Sequence, residues 1–157
     1  MTIKIAVVNE SKNHETRVAV VPEIAQKLAS NNVTFSIEKN SGSASGFLDS
    51  DYPEGACSFF DTHSEAIKDA DVLFKVNPPT SEEVGFMKKG ALAVSFMNPF
   101  QNGELIKNMA SSGIDAFSVE LVPRISRAQS MDALSSQASI AGYKAVILAA
   151  NNANKFF

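Results

Sequence analysis

Cysteine is almost missing from these 157 residues: Cys57 stands alone, so no intrachain disulfide can form and stability has to come from packing. A reducing compartment is the matching expectation, and a thiol nucleophile is a poor one. Histidine is nearly as scarce. His14 and His63 lie in unrelated polar stretches, so neither a zinc site nor a Ser-His-Asp triad has a frame to stand on. Positive charge is not in excess either: 14 Lys and Arg face 17 Asp and Glu, a net −3, which gives no general attraction to nucleic acid or anionic lipid. No apolar run nears the roughly 18 residues of a membrane span, and the stretch Ile3–Val8 comes too early to be a signal peptide. Both glycine-rich phosphate cradles are absent as well. Gly42 and Gly46 make only G-x-x-x-G, no G-x-G-x-x-G follows a strand-like run, and there is no Walker A pattern.

What is present is an ordinary globular composition, 45% hydrophobic and 20% charged, in a length that suits one domain with a real core. Ile3–Val8, Val33–Glu38, Asp71–Val76, Ala91–Phe96 and Asp115–Val119 are short runs rich in Val, Ile and Phe and read as strands, with Ser58–Asp61 a weaker sixth. Their phenylalanines, Phe117 included, are expected in the core. Helical patterns lie between them at Pro22–Asn31, Ser64–Ala70, Ser81–Lys88 and Gly103–Ser111, Pro22 suiting a first turn and Ser81 a cap. Such alternation predicts an α/β fold: a doubly wound, mostly parallel sheet with helices on both faces, Rossmann-like or flavodoxin-like but without the dinucleotide fingerprint. A longer helix follows, in which Leu134, Ala138, Ala141, Ala145 and Leu148 form one apolar stripe that should pack on something.

The most informative segment precedes that helix. Arg124-Ile-Ser-Arg-Ala-Gln-Ser-Met-Asp-Ala-Leu-Ser-Ser-Gln137 carries two guanidiniums, two amides, one carboxylate and several hydroxyls, too polar to be core. Residues 124–157 also hold Arg124, Arg127, Lys144 and Lys155 against Asp132, a net +3 that leaves −6 for residues 1–123. These groups suit the head of a dinucleotide. A nicotinamide carboxamide offers one acceptor and one NH2 donor, so its reader needs a carboxylate beside an amide or guanidinium; Asp132, Gln129 and Arg124 provide them, and Ser135 adds a hydroxyl of either polarity. The alternative is local: Asp132 or Ser135 caps the helix, and the basic residues form a solvated face.

The same segment resembles the NAD-site loop of the alpha subunit of proton-translocating NAD(P) transhydrogenases. The resemblance continues in order through Lys4–Ser11, Glu15–Pro22, Asp71–Val76, Ser95–Asn102 and Ile140–Ala145, covering essentially the whole chain. It implies that Arg124, Gln129, Asp132 and Ser135, at the family's offsets of five, three and three, contact the nicotinamide end of NAD(H) and hold it against NADP(H) bound on a partner subunit. It further implies hydride transfer between NADH and NADP+ coupled to proton movement through a separate membrane component. The alpha subunits are expected as homodimers, peripheral at the cytoplasmic face of the membrane. Residues 1–133 would be the N-terminal α/β domain of the alanine dehydrogenase/transhydrogenase type. Residues 134–157 would be a helix leading toward a downstream Rossmann domain, so that the chain, stopping on Phe156-Phe157, reads as a fragment that is inactive alone.

Alanine dehydrogenases share the opening pattern. Arg17 and Lys75 match positions that in those enzymes hold the substrate carboxylate and carbonyl, which makes them possible cleft residues; equally, Lys75 could pair with an acid such as Glu10. Asn98 stands where those dehydrogenases carry a catalytic histidine, and an amide is no general acid or base near neutral pH. Gln101 and Asn102 could line the same cleft. An alanine-dehydrogenase-like oxidoreductase and a non-catalytic assembly domain therefore remain the alternatives.

Overall fold

The computed structural model describes residues 2–155. Among these residues six strands form one sheet: β1 Ile3–Val7, β2 Val33–Glu38, β3 Cys57–Phe60, β4 Val72–Phe74, β5 Leu92–Ser95 and β6 Asp115–Ser118. The order is β3-β2-β1-β4-β5-β6 and every pairing is parallel, with Ile3 opposite Val33 and Ile5 opposite Val72. Helices α1 Pro22–Ala29, α2 His63–Ile67, α3 Ser81–Phe86 and α4 Gly103–Ser111 connect the strands. All six anticipated strands exist, the weak one included. The strand-to-strand crossovers leave two cores, and the alternation of side chains along each strand sorts residues between them. Ala6, Val8, Leu73 and Ala93 join Ile67, Val84 and Met109 on one face; Val7, Phe35 and Ile37 join Val20 and Ala25 on the other.

From β1 the chain runs outward to β2 and β3, then returns to β4 on the other side, so β1 and β4 are neighbours whose following connections leave in opposite directions. In open α/β sheets this switch point is where a crevice opens beyond the carboxyl ends of the strands. The segment from Val8 to Val21 fills the position of a glycine-rich turn with a 3-10 turn over Ser11–Asn13 and a polar run carrying Glu10, Glu15 and Arg17.

Three expectations are corrected. Phe117 is 47% exposed, because β6 is the sheet edge and has a strand on one side alone. The cap of α3 is Thr80, not Ser81: Thr80 Oγ1 accepts the Glu83 N–H and the Glu83 carboxylate accepts the Thr80 N–H, a reciprocal box. The third concerns helix α5, Ala133–Asn152, none of whose residues is buried. Its anticipated stripe is exposed at Leu134 and Leu148, and Ile140, Tyr143, Val146 and Ile147 are exposed too, so apolar side chains lie all round it. From sequence the helix is expected either to dock on the sheet or to bury its stripe with Phe156 and Phe157 against a second copy; those two phenylalanines lie outside the described residues. The chain divides into two compact units, one ending at Ser118 and one beginning at Val119.

Candidate functional site

The second unit builds its site from a 3-10 turn. Ile125, extended, precedes a turn over Ser126–Met131, closed by hydrogen bonds from the Ala128 N–H to the Ile125 carbonyl and from the Asp132 N–H to the Gln129 carbonyl. Three residues per turn stack positions three apart on one face. Ser126, Gln129 and Asp132 are thereby brought to one side, while Ala128 is buried as the turn's apolar anchor. Asp132 then starts α5: Oδ1 accepts the Ser135 N–H at 3.0 Å and Oδ2 accepts the Ser135 hydroxyl at 2.6 Å.

Arg124, Ile125, Ser126, Gln129, Asp132 and Ser135 line a shared cavity of about 340 Å³. The four residues that the sequence singles out thus converge. Ile125 and Ser126 are additions from the structure, although Ser126 has a sequence signal, three positions before Gln129. The Ser135 hydroxyl and N–H, helped by the Arg124 charge, hold the Asp132 carboxyl below the ordinary carboxylate range. The cavity accordingly presents an anionic acceptor, a guanidinium, an amide of both polarities and a hydroxyl. This donor set fits a primary carboxamide, with the carboxylate for its NH2 and the guanidinium or amide for its oxygen. Capping leaves Asp132 free acceptor capacity toward the cavity, since a carboxylate has about four lone-pair sites.

The other candidates belong to the crevice at the ends of β1 and β4. Arg17 forks onto Glu15, its Nε and Nη2 donating at 2.8 and 2.7 Å. This bond pulls the Glu15 carboxyl down from 4.5 to about 2. Asn77 bridges the cluster, its Nδ2 donating to Glu10 at 3.1 Å and to Glu15 at 3.3 Å. Lys75 is buried and does not pair with Glu10. The Glu10 carboxylate is taken by the backbone N–H groups of Val76 and Asn77 at 2.7 and 2.8 Å, and Lys75 Nζ instead donates to both oxygens of Glu83 at 2.7 Å. Asn77, Glu83 and His63 escape a reading of the sequence; the pattern Thr80-Ser-Glu-Glu83 is the available signal for Glu83.

Asn98 is exposed, at φ 47°, with its carbonyl accepting the N–H groups of Gln101 and Asn102 and its Nδ2 donating to Gln101 Oε1 at 2.8 Å. Asparagine tolerates this left-handed backbone better than most residues. Asn102 contributes by donating to the Met97 carbonyl at 2.9 Å. Asn98 therefore shapes the turn after β5, and its amide supplies no acid or base. Among the described residues no cluster of His, Cys, Asp and Glu could hold a metal ion, and no helix is long and apolar enough to cross a membrane.

Fold and sites together describe a doubly wound parallel α/β domain with its polar groups at the carboxyl edge, followed by a turn and helix whose polar side chains line one cavity. The chain belongs to the alanine dehydrogenase/PNT N-terminal domain family, whose model matches residues 6–141. It is 41% identical over 153 residues to the NAD(P) transhydrogenase subunit alpha of Haemophilus influenzae, covering 98% of this chain and 30% of that protein. A crystal structure of transhydrogenase from Sinorhizobium meliloti superposes with a TM-score of 0.89 at 39% identity, over 97% of this chain and 45% of that one. Alanine dehydrogenase 1 of Staphylococcus aureus is more distant, 32% identical over 146 residues, covering 93% of this chain and 38% of that enzyme. The chain spans less than half the length of each of these relatives.

Proposed function

We propose that this chain forms the nicotinamide-side wall of the NAD(H) site in an NAD(P) transhydrogenase. The convergence of Arg124, Gln129, Asp132 and Ser135 on one cavity carries the reading, and the similarity to transhydrogenase alpha subunits supports it. NAD(H), when bound, supplies or accepts the hydride. The chain's own part is positional: Asp132 would accept from the carboxamide NH2, Gln129 or Arg124 would donate to its oxygen, and Ser135 would keep the Asp132 carboxylate ionised and oriented. Hydride transfer needs no side-chain proton, and holding reacting atoms about 3–3.5 Å apart is itself worth several orders of magnitude in rate. NADP(H) would sit on a partner subunit, with a membrane component carrying the proton movement and the alpha subunits paired as a homodimer at the cytoplasmic face.

The test uses the complete alpha protein with its NADP(H)-binding partner. NADH binding together with hydride transfer to NADP+ and no oxidation of alanine is the expected result. Turnover of alanine would move the assignment to the dehydrogenase branch of the family. A complete protein that binds neither nucleotide would leave an assembly domain.

A further inference from the structure

The densest interior charge of the first unit lies beside the crevice. Glu83 is 2% exposed and Lys75 is 6% exposed. On the far side of Glu83 stands His63, its Nδ1 3.2 Å from the same Oε1 that Lys75 holds, and its Nε2 2.9 Å from Glu38 Oε2. Glu38 Oε2 also accepts the Asn9 N–H at 2.7 Å. One imidazole is thus held between two carboxylates, Glu38 ending β2 and Glu83 in the first turn of α3. The ring borders a cavity of about 450 Å³, onto which Lys12, Asp61 and Glu82 also face, with Lys75 behind Glu83. Neither His63 nor Glu83 has a part in the nicotinamide-side site.

A neutral imidazole has one N–H and one lone pair, so against two carboxylates one lone pair must face an anionic oxygen. The strain shows at Nε2, which is sealed from water and, despite its closeness to Glu38, has no aligned hydrogen-bond partner. A second proton turns both nitrogens into donors and places a cation between two anions.

We propose that His63 is a proton-operated clamp: protonation ties the end of β2 to α3 through Glu38 and Glu83. Loss of the proton loosens the β2–α3 tie and leaves Glu83 to Lys75 and Thr80.

Urea unfolding of the full chain between about pH 8 and about pH 5.5, across the ordinary histidine range, tests this. Relative to the native protein, the unfolding constant of His63→Gln should rise by about tenfold on acidification. Glu38→Gln should shrink the same dependence, and native protection of the Glu83 and Val84 amides should increase as pH falls. A His63→Gln effect that is constant across this pH range marks a passive packing residue and overturns the clamp. Should His63→Gln fail to fold, Glu38→Gln against the native protein decides: equal pH dependence in the two overturns the proposal.

Discussion

At Glu15 a single carboxylate reports how the crevice is held together. Its folded value of about 2 lies below the ordinary 4.5. The unfolded chain therefore binds the proton more readily, so the stabilisation is complete above about pH 5 and fades as pH falls toward the folded value. Carbon-detected NMR titration should find Glu15 still ionised near pH 3, and Arg17→Gln should return it toward the ordinary carboxylate range. An unchanged titration in that variant would mean that Asn77 and the backbone, not the guanidinium, hold it. Cys57 shows the opposite effect: burial pushes its thiol up to about 11. At neutral pH its thiolate is scarce, and alkylation by iodoacetamide should run at least about a hundredfold slower than for free cysteine, whose thiol titrates near 8.5. Neither value follows from composition, because both depend on which atoms fold beside the group.

Elements show where local rules suffice. The 3-10 turn and the start of α5 are written in consecutive residues, which is why Arg124, Gln129, Asp132 and Ser135 are legible in the sequence alone. Because asparagine caps helices about as well as aspartate, Asp132→Asn separates capping from the proposed ligand-facing role. In the complete enzyme it should keep the fold and weaken NADH binding little, yet slow single-turnover hydride transfer roughly tenfold to a hundredfold, the loss of one charge-assisted bond made in the reactive geometry. An unchanged rate at saturating nucleotide would leave Asp132 as a cap alone. Helix α3 makes a different point. Its Glu83 serves the Thr80 box and the buried Lys75 at once, so Glu83→Gln, which strands an ammonium, should cost about 3–5 kcal/mol in chemical denaturation. Lys75→Met combined with Glu83→Gln should recover a substantial part of that loss. Additive costs in the pair would contradict a buried ion pair as their link.

For the whole chain the exposed apolar surface of α5 and the missing phosphate cradle set the expectations. Ile140, Tyr143 and Val146 are all more than half exposed, and apolar surface of this extent marks an interaction site or an aggregation liability. The chain alone should bind a hydrophobic dye, and Ile140→Glu with Val146→Glu should abolish most of the signal. Calorimetry should find weak or no NADH binding to this chain, since under the proposed function Arg124, Gln129, Asp132 and Ser135 would address only the carboxamide while no glycine-rich turn addresses the pyrophosphate. Sub-micromolar affinity would show that the half-site reading is wrong.

The sequence by itself determined what depends on neighbours along the chain. Strand and helix periodicities point to six strands and five helices, although they favour Ser81 as a cap where Thr80 is the residue that serves. Offsets of three put Gln129, Asp132 and Ser135 in register for one cavity. The tertiary structure alone decided what depends on distant segments meeting. It set the strand order, gave the Glu10 carboxylate to amides 66 and 67 residues away, and brought His63 between Glu38 and Glu83. It also left Phe117 on an edge and the apolar side chains of α5 exposed. The physical reason is that hydrogen bonds within a turn or cap are specified by a few consecutive residues. The partner of a buried charge is fixed only when the sheet has closed and water is gone.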